Sequence, residues 1–353
     1  MKQSIGYLSI GLALFLASFA NLGLAQSTPQ QVKGTTAQGT PWEALTDNAP
    51  AVAVSTTTRY VAWKSDTSQK IMFSAFNGTA WTTPTVVSGT TNTGSTWTAE
   101  SLSPPALAVD DTTGILWLAW TNASSPNKVY VSTLNGTAWT NRQVVGGSNW
   151  TAESSKYAVP ALSGGHGISL AWEGHSTDDI WYTNWNYPGW STQHTVSGSG
   201  WAAQTDAGPG WTQTELVPGL GSISTLFWTD LSGDIFMSND FPFGWTGEVT
   251  VACDSWTAQT QITFAPAAAY FNVNGNIMAA VFWVGPLQYS YTTGNGCGFA
   301  EPATITDDGI TFLPPAVSVG STLSILAWTE AINSHSPNNT IWYIDPTTLP
   351  GLN

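Results

Sequence analysis

Charge is what this chain has least of. Only 8% of its 353 residues are charged, Lys and Arg together number 8, and the formal net charge is −14. The arginines are Arg59 and Arg142 alone. So few cations cannot neutralise a phosphate backbone or an anionic headgroup layer, so nucleic acid and acidic membrane surfaces are poor partners. The cysteines are Cys253 and Cys297, with no Cys-x-x-Cys, so a structural zinc site has no support and a bridge between the two stays open. Beyond the first 25 residues no run approaches the ~20 apolar residues that insertion as a membrane helix needs. No GxSxG, HExxH or phosphate-cradling glycine loop occurs, and His166, His175, His194 and His335 are scattered, so no cofactor and no metal is expected. Scarce charge signals disorder only where apolar residues are scarce too. Here they make up 42%, with 20 Trp, so a large core can form.

Residues 1–25 read as a secretory signal. Lys2 is its positive end, Tyr7 to Ala20 its apolar stretch, and Gly23-Leu24-Ala25 a small-x-small cleavage site. The expectation is an exported protein, extracellular or periplasmic, with one domain over 26–353.

That domain is repetitive. An apolar run ends in Ala-Trp or Phe-Trp at Trp63, Trp120, Trp172, Trp228, Trp283 and Trp328. Within one unit, PALAV (105–109), ILWLAW (115–120), KVYVSTL (128–134) and NRQVV (141–145) are four short apolar segments separated by turn residues. ILWLAW does not alternate, as expected of a strand covered on both faces. Repeated four-stranded units of this length predict an all-β, six-bladed β-propeller. The last unit stops after its third strand, IWYID (341–345). Residues 27–42 align without gaps on 82–97, matching Pro29 to Pro84, Val32 to Val87 and Trp42 to Trp97. The N-terminal segment should therefore supply the outer strand of the last blade and close the ring.

A second phrase recurs between blades: WTAES at 97–101 and 150–154, WAAQT at 201–205 and WTAQT at 256–260. It predicts a ring of Trp42, Trp97, Trp150, Trp201 and Trp256 on one face. Beside it should run a ring of Glu100, Glu153, Gln204 and Gln259, with Glu43 displaced by two. An indole plane beside a carboxylate or amide suits a sugar, whose C–H face packs on the ring while its hydroxyls are bonded. The same residues could instead wedge blades together and cap turns. A similar phrase, WTQTE at 211–215, reads as an insertion with a modified site in the fourth blade.

Ser132-Thr-Leu-Asn135-Gly136-Thr-Ala-Trp139 resembles the Asp-box, the Ser-x-Asp-x-Gly-x-x-Trp repeat of sialidase-type propellers, with Asn in place of Asp. Over about 27–345 the chain is similar to Trp-rich, sialidase-like propellers of secreted bacterial proteins, and in plan to six-bladed fucose-binding lectins. Sialidases fix their substrate carboxylate with three arginines; two are present here, so the resemblance implies the fold without that activity. The fucose-binding lectins use an Arg in each pocket, which this chain does not repeat. The resulting expectation is a glycan- or polysaccharide-binding propeller. Two alternatives remain: a glycoside hydrolase or lyase using Glu153 and Glu173 as its carboxylate pair, and a scaffold for a protein partner.

Overall fold

A computed structural model of the chain describes residues 28–353 except 166, 216–221, 242–243, 254–255, 274–275, 286–288, 295–302, 306–312, 331–338, 350–351 and 353. The expected signal segment lies outside the described residues. So do His166, His335 and Cys297, and with Cys297 the question of a bridge.

Six antiparallel sheets stand around a central channel. Blade 1 runs outward as Ala51–Val54, Arg59–Lys64, Ile71–Phe76 and Thr85–Val86. Blades 2 to 5 repeat that order from innermost strands Ala106–Val109, Ala161–Ser163, Gly210–Glu215 and Ala267–Val273. Blade 6 has Ala316–Val319, Ser324–Thr329 and Ile341–Ile344, and its outer strand is Gln30–Gln31. Gln30 pairs with Tyr343 and Gln31 with Trp342. The Tyr343 hydroxyl donates to Gln30 Oε1 at 2.7 Å, and the Val32 N–H to Ile341 O at 2.8 Å. The ring thus closes as the alignment of 27–42 on 82–97 predicts.

WTQTE is not an insertion. It lies in Gly210–Glu215, the innermost strand of blade 4, paired residue for residue with Ser222–Phe227. Its likeness to the phrase is one of letters: Trp211 points into the seam between blades 3 and 4, edge-on to Tyr182 at 5.9 Å.

The core is divided among the six seams, each filled by one hydrophobic cluster drawn from two neighbouring blades. A blade therefore buries both faces, which is why ILWLAW reads without alternation. Every Trp that ends a second strand is at most 4% exposed. The Asp-box-like hairpin serves the seams too. A hydroxyl on the third strand donates to the carbonyl just after the turn aromatic: Ser74 to Thr82, Ser132 to Thr140, Thr183 to Ser191 and Ser238 to Thr246, at 2.7–2.9 Å. This clip holds Trp81, Trp139, Trp190 and Trp245 edge-on against an aromatic of the preceding blade: Tyr343, Phe73, Trp117 and Tyr182.

Candidate functional site

Each repeated phrase is the second arm of a two-stranded ribbon joining one blade to the next. The ribbons pair Lys33–Thr35 with Pro41–Glu43, Ser88–Thr90 with Thr96–Thr98, Gly146–Gly147 with Trp150–Thr151, Ser197–Gly198 with Trp201–Ala202, and Ala252–Cys253 with Trp256–Thr257. The alanine of the phrase locks back onto the blade just left. Ile71 N–H donates to Ala99 O at 3.0 Å, Ala99 N–H to Val87 O at 2.9 Å, and Val87 N–H to Ile71 O at 2.8 Å. The same closed triangle recurs through Ala44, Ala152, Ala203 and Ala258.

Across the ribbon a glycine faces each of the first four indoles: Gly34 and Trp42, Gly89 and Trp97, Gly147 and Trp150, Gly198 and Trp201. The indole lies over the glycine so closely that a Cβ on Gly147 would meet Trp150 Nε1 at 2.4 Å. The other side of the ring stacks on the core: Trp97 on Trp120 (5.9 Å, 13°), Trp150 on Trp172 (6.2 Å, 2°), Trp201 on Trp228 (6.3 Å, 4°). Gly147→Ala must therefore push Trp150 off Trp172. We expect a loss of about 1–3 kcal/mol, the usual cost of overpacking, read as a lower denaturant midpoint with an unchanged m-value.

The structure brings the five indoles to one rim, where they differ in exposure. Trp97 is buried; Trp42, Trp150, Trp201 and Trp256 are half-buried. Glu100, Gln204 and Gln259 are exposed and Glu153 is half-buried. Each faces the start of the preceding blade's third strand: Lys70 opposite Glu100, Lys128 opposite Glu153, Asp179 opposite Gln204, Asp234 opposite Gln259. Gln204 Nε2 donates to Asp179 Oδ1 at 3.1 Å and Gln259 Nε2 to Asp234 Oδ1 at 2.8 Å. A carboxylate thus always meets a donor-bearing residue. Glu43 stands elsewhere, paired with Lys33 on its ribbon; Leu45, opposite Thr340, takes the position that Glu100 holds.

Glu173 lies next to Glu153 along the backbone, with Ser154 paired to Gly174 and the His175 N–H donating to Glu153 O at 3.2 Å, but its side chain is buried. It ends the second strand of blade 3 and is 4% exposed, with Oε2 lacking any hydrogen-bond partner. Burial, then the charges of Asp178 and Asp206, push its carboxyl up to about 8, against a hydrogen bond from Ser155. The sister residues in blades 2, 4 and 6 are threonines. Thr121 donates to Ala158 O, Thr229 to Phe264 O and Thr329 to Asn48 O. Glu173 is thus a carboxylic acid, neutral at pH 7, in a place built for a hydroxyl.

Both arginines are engaged. Arg59 ties blade 1 to blade 6, its Nε donating to Ser324 O at 2.8 Å and its Nη2 lying 3.5 Å from Asp345 Oδ2. Arg142 lies over the Tyr130 ring at 5.1 Å. Among the described residues no group of three or more His, Cys, Asp or Glu is placed to hold a metal ion.

Sequence reading missed the channel. Its wide end, a cavity of about 610 Å³ lined by Val54, Val109, Asp111, Gln213, Asn272 and Val319 among others, opens on the side away from the phrases. On the phrase side it narrows to about 110 Å³ within a ring of prolines just before each innermost strand: Pro50, Pro105, Pro160, Pro209, Pro266 and Pro315. Proline has no N–H to lose at a first strand residue. The signal was legible: Pro-Ala or Pro-Gly recurs six times at blade spacing.

No family model matches this sequence, and no curated protein matches it. Solved structures do. The chain is similar to the SapL1 lectin in complex with α-methyl fucoside, at 12% identity and a TM-score of 0.61, covering 87% of this chain and 98% of that one. It is similar to the Aleuria aurantia lectin in complex with α-methyl-L-fucoside, at 14% identity and a TM-score of 0.58, over 88% and 99% of the two chains. The Hadza microbial sialidase Hz136 follows at 12% identity and 0.55, over 91% of this chain and 69% of that one. What these likenesses establish is the six-bladed propeller fold that the lectins share with this chain.

Proposed function

We propose that this protein is an exported glycan-binding propeller whose sites lie on the rim between blades. The observation that carries this reading is the repeated junction: half-exposed indoles on a ribbon, with Trp150 and Trp201 each stacked on a core Trp beside Glu153 or Gln204. A rigid aromatic plane with adjacent polar groups is what a sugar ring needs. Several such sites on one rigid ring add their weak affinities on a polymeric ligand. That lectins bound to fucosides have this fold supports the reading without fixing the sugar. Trp42, Trp150, Trp201 and Trp256 are the stacking residues in this view, with Glu153, Gln204 and Gln259 taking hydroxyls. Trp97, already buried, braces its junction beside Glu100.

The hydrolase alternative is favoured by one observation, the neutral carboxyl of Glu173, which suits a general acid. Its position counts against it, because a side chain 4% exposed offers no oxygen to a glycosidic bond. The decisive experiment is a broad glycan array with mature protein and a Trp150→Ala/Trp201→Ala variant whose folding is checked by circular dichroism. Binding that the variant loses about tenfold or more, the scale of a lost base-like stacking contact, supports rim sites. Equal binding by the folded variant would refute them.

A further inference from the structure

The junctions are not equivalent, and the one between blades 3 and 4 departs from the rest in one chemical direction. Its phrase continues Gln204-Thr205-Asp206; at the place of Asp206 three others carry Leu102, Ser155 and Gln261, and the Trp42 phrase carries Asp47, which is ion-paired with Lys64 at 2.6 Å. The residue before the pairing partner is Asp178, where the others have Gln69, Asn127, Gly233 and Asn339. The register is secure, because the N–H after each Glu or Gln donates to that residue's carbonyl: Ser101 to Gln69, Ser154 to Asn127, Thr205 to Asp178 and Thr260 to Gly233. Beneath them lies Glu173, where sister blades place Lys64, Thr121, Thr229, Val284 and Thr329. Two carboxyl groups absent from the other described junctions, Glu173 and Asp178, therefore gather with Asp206 at the inner end of the phrase that starts with the half-exposed Trp201.

The buried member of the group points to a ligand. Glu173 Oε2 is shut off from solvent and has no partner. A buried acceptor left in that state costs free energy unless something compensates it. The positive groups nearby are engaged or turned away: Lys156 lies over the Tyr157 ring at 4.5 Å, and His175 is exposed. What faces Glu173 is Asp178 from its own blade's loop, Asp206 from the segment entering blade 4, and Ser155 from the preceding junction. The site is thus anionic. The carboxylates are also not gathered closely enough to grip a metal ion. A positive charge carried on a larger ring fits that spread.

We propose that the rim between blades 3 and 4 selects sugars bearing a free amine, with the ring on Trp201 and the ammonium beside Asp206 and Asp178, above Glu173. The inference rests on the glycan-binding reading and names the ligand class for one junction. An ammonium there favours the ionised form of Glu173, so binding near neutral pH releases a proton from it.

The test is calorimetry with a glucosamine oligomer and its N-acetylated counterpart, run in two buffers of different ionisation enthalpy. The parent is expected to bind the amine form about tenfold more tightly or better, the scale of one charge-assisted contact, and to release protons. Asp206→Asn, an exposed substitution, should erase the preference. Glu173→Gln should erase the proton release, and Glu173→Thr, the sister residue, serves if the amide does not fold. Equal affinity for the two oligomers, or a preference that survives Asp206→Asn, overturns the inference. If the array shows neutral glycans bound while these oligomers are not distinguished, the inference fails and the rim sites stand. If no glycan is bound at all, both fail.

Discussion

Trp120→Ala is expected to lower the unfolding free energy by about 3–5 kcal/mol, the range for removing a fully buried Trp. Trp120 has no exposed surface and stacks on Trp97 at 5.9 Å and on Tyr130 at 5.7 Å, joining the ribbon to blade 2. Its loss leaves a cavity that Trp97 cannot refill, because the ribbon is anchored through Ala99 to the blade on the other side of the seam. Against a typical total of ~5–15 kcal/mol this is a large fraction. Urea unfolding followed by far-UV circular dichroism measures it. Trp120→Phe keeps a ring in the stack and should cost less than half as much. A loss under ~1 kcal/mol for the alanine variant would mean that the seam does not depend on its central indole.

Glu173→Thr should change the pH dependence of stability more than any other single substitution among the described residues. The folded carboxyl sits at about 8 and the unfolded one at its ordinary 4.5. Below about 4.5 both states hold the proton and the parent keeps its full stability. Between the two values the unfolded chain sheds the proton and the folded chain retains it, so stability falls as pH rises, by about 1.4 kcal/mol per unit. Above 8 the loss is complete, on the order of 5 kcal/mol. The threonine variant escapes this and can adopt the hydroxyl-to-carbonyl bond of its sisters. Its stability relative to the parent should climb from pH 5 to pH 8. A constant difference across that range would show that Glu173 is charged in the folded protein.

The ring closure was legible because it is written in matched letters: Pro29, Val32 and Trp42 repeat Pro84, Val87 and Trp97, and the same backbone contacts follow. Blade count was legible for a similar reason, since a Trp that must fill a seam cannot drift. The rim was harder. Trp97 and Trp150 occupy the same place in the phrase, yet one is buried and the other half-exposed. The phrase is the same at both places, so its letters alone do not set that difference. WTQTE misled because an innermost strand has one edge on the channel and tolerates polar letters that an outer strand's core face would refuse. Glu173 reads as the accessible partner of Glu153 because sequence shows that it follows Trp172 but not that its side chain is covered.

The joining of Gln30–Gln31 to Ile341–Ile344 also sets an order of events. The bond from Tyr343 to Gln30 spans 313 residues. Blades 1 to 5 are built from contiguous chain and can form as it emerges, but blade 6 waits for both of its parts. Until then the first-made segment has no strand to pair with, and the last blade has an open edge that would accept the same segment from another copy. The chain-entropy cost of closing so long a loop grows only logarithmically with its length. The delay is therefore one of timing, and crowded molecules caught in that interval would exchange N-terminal strands. The native ring should also open first at this join, whose two-pair ladder, unlike the two-pair outer ladders of blades 1 to 4, has no hairpin connecting its strands.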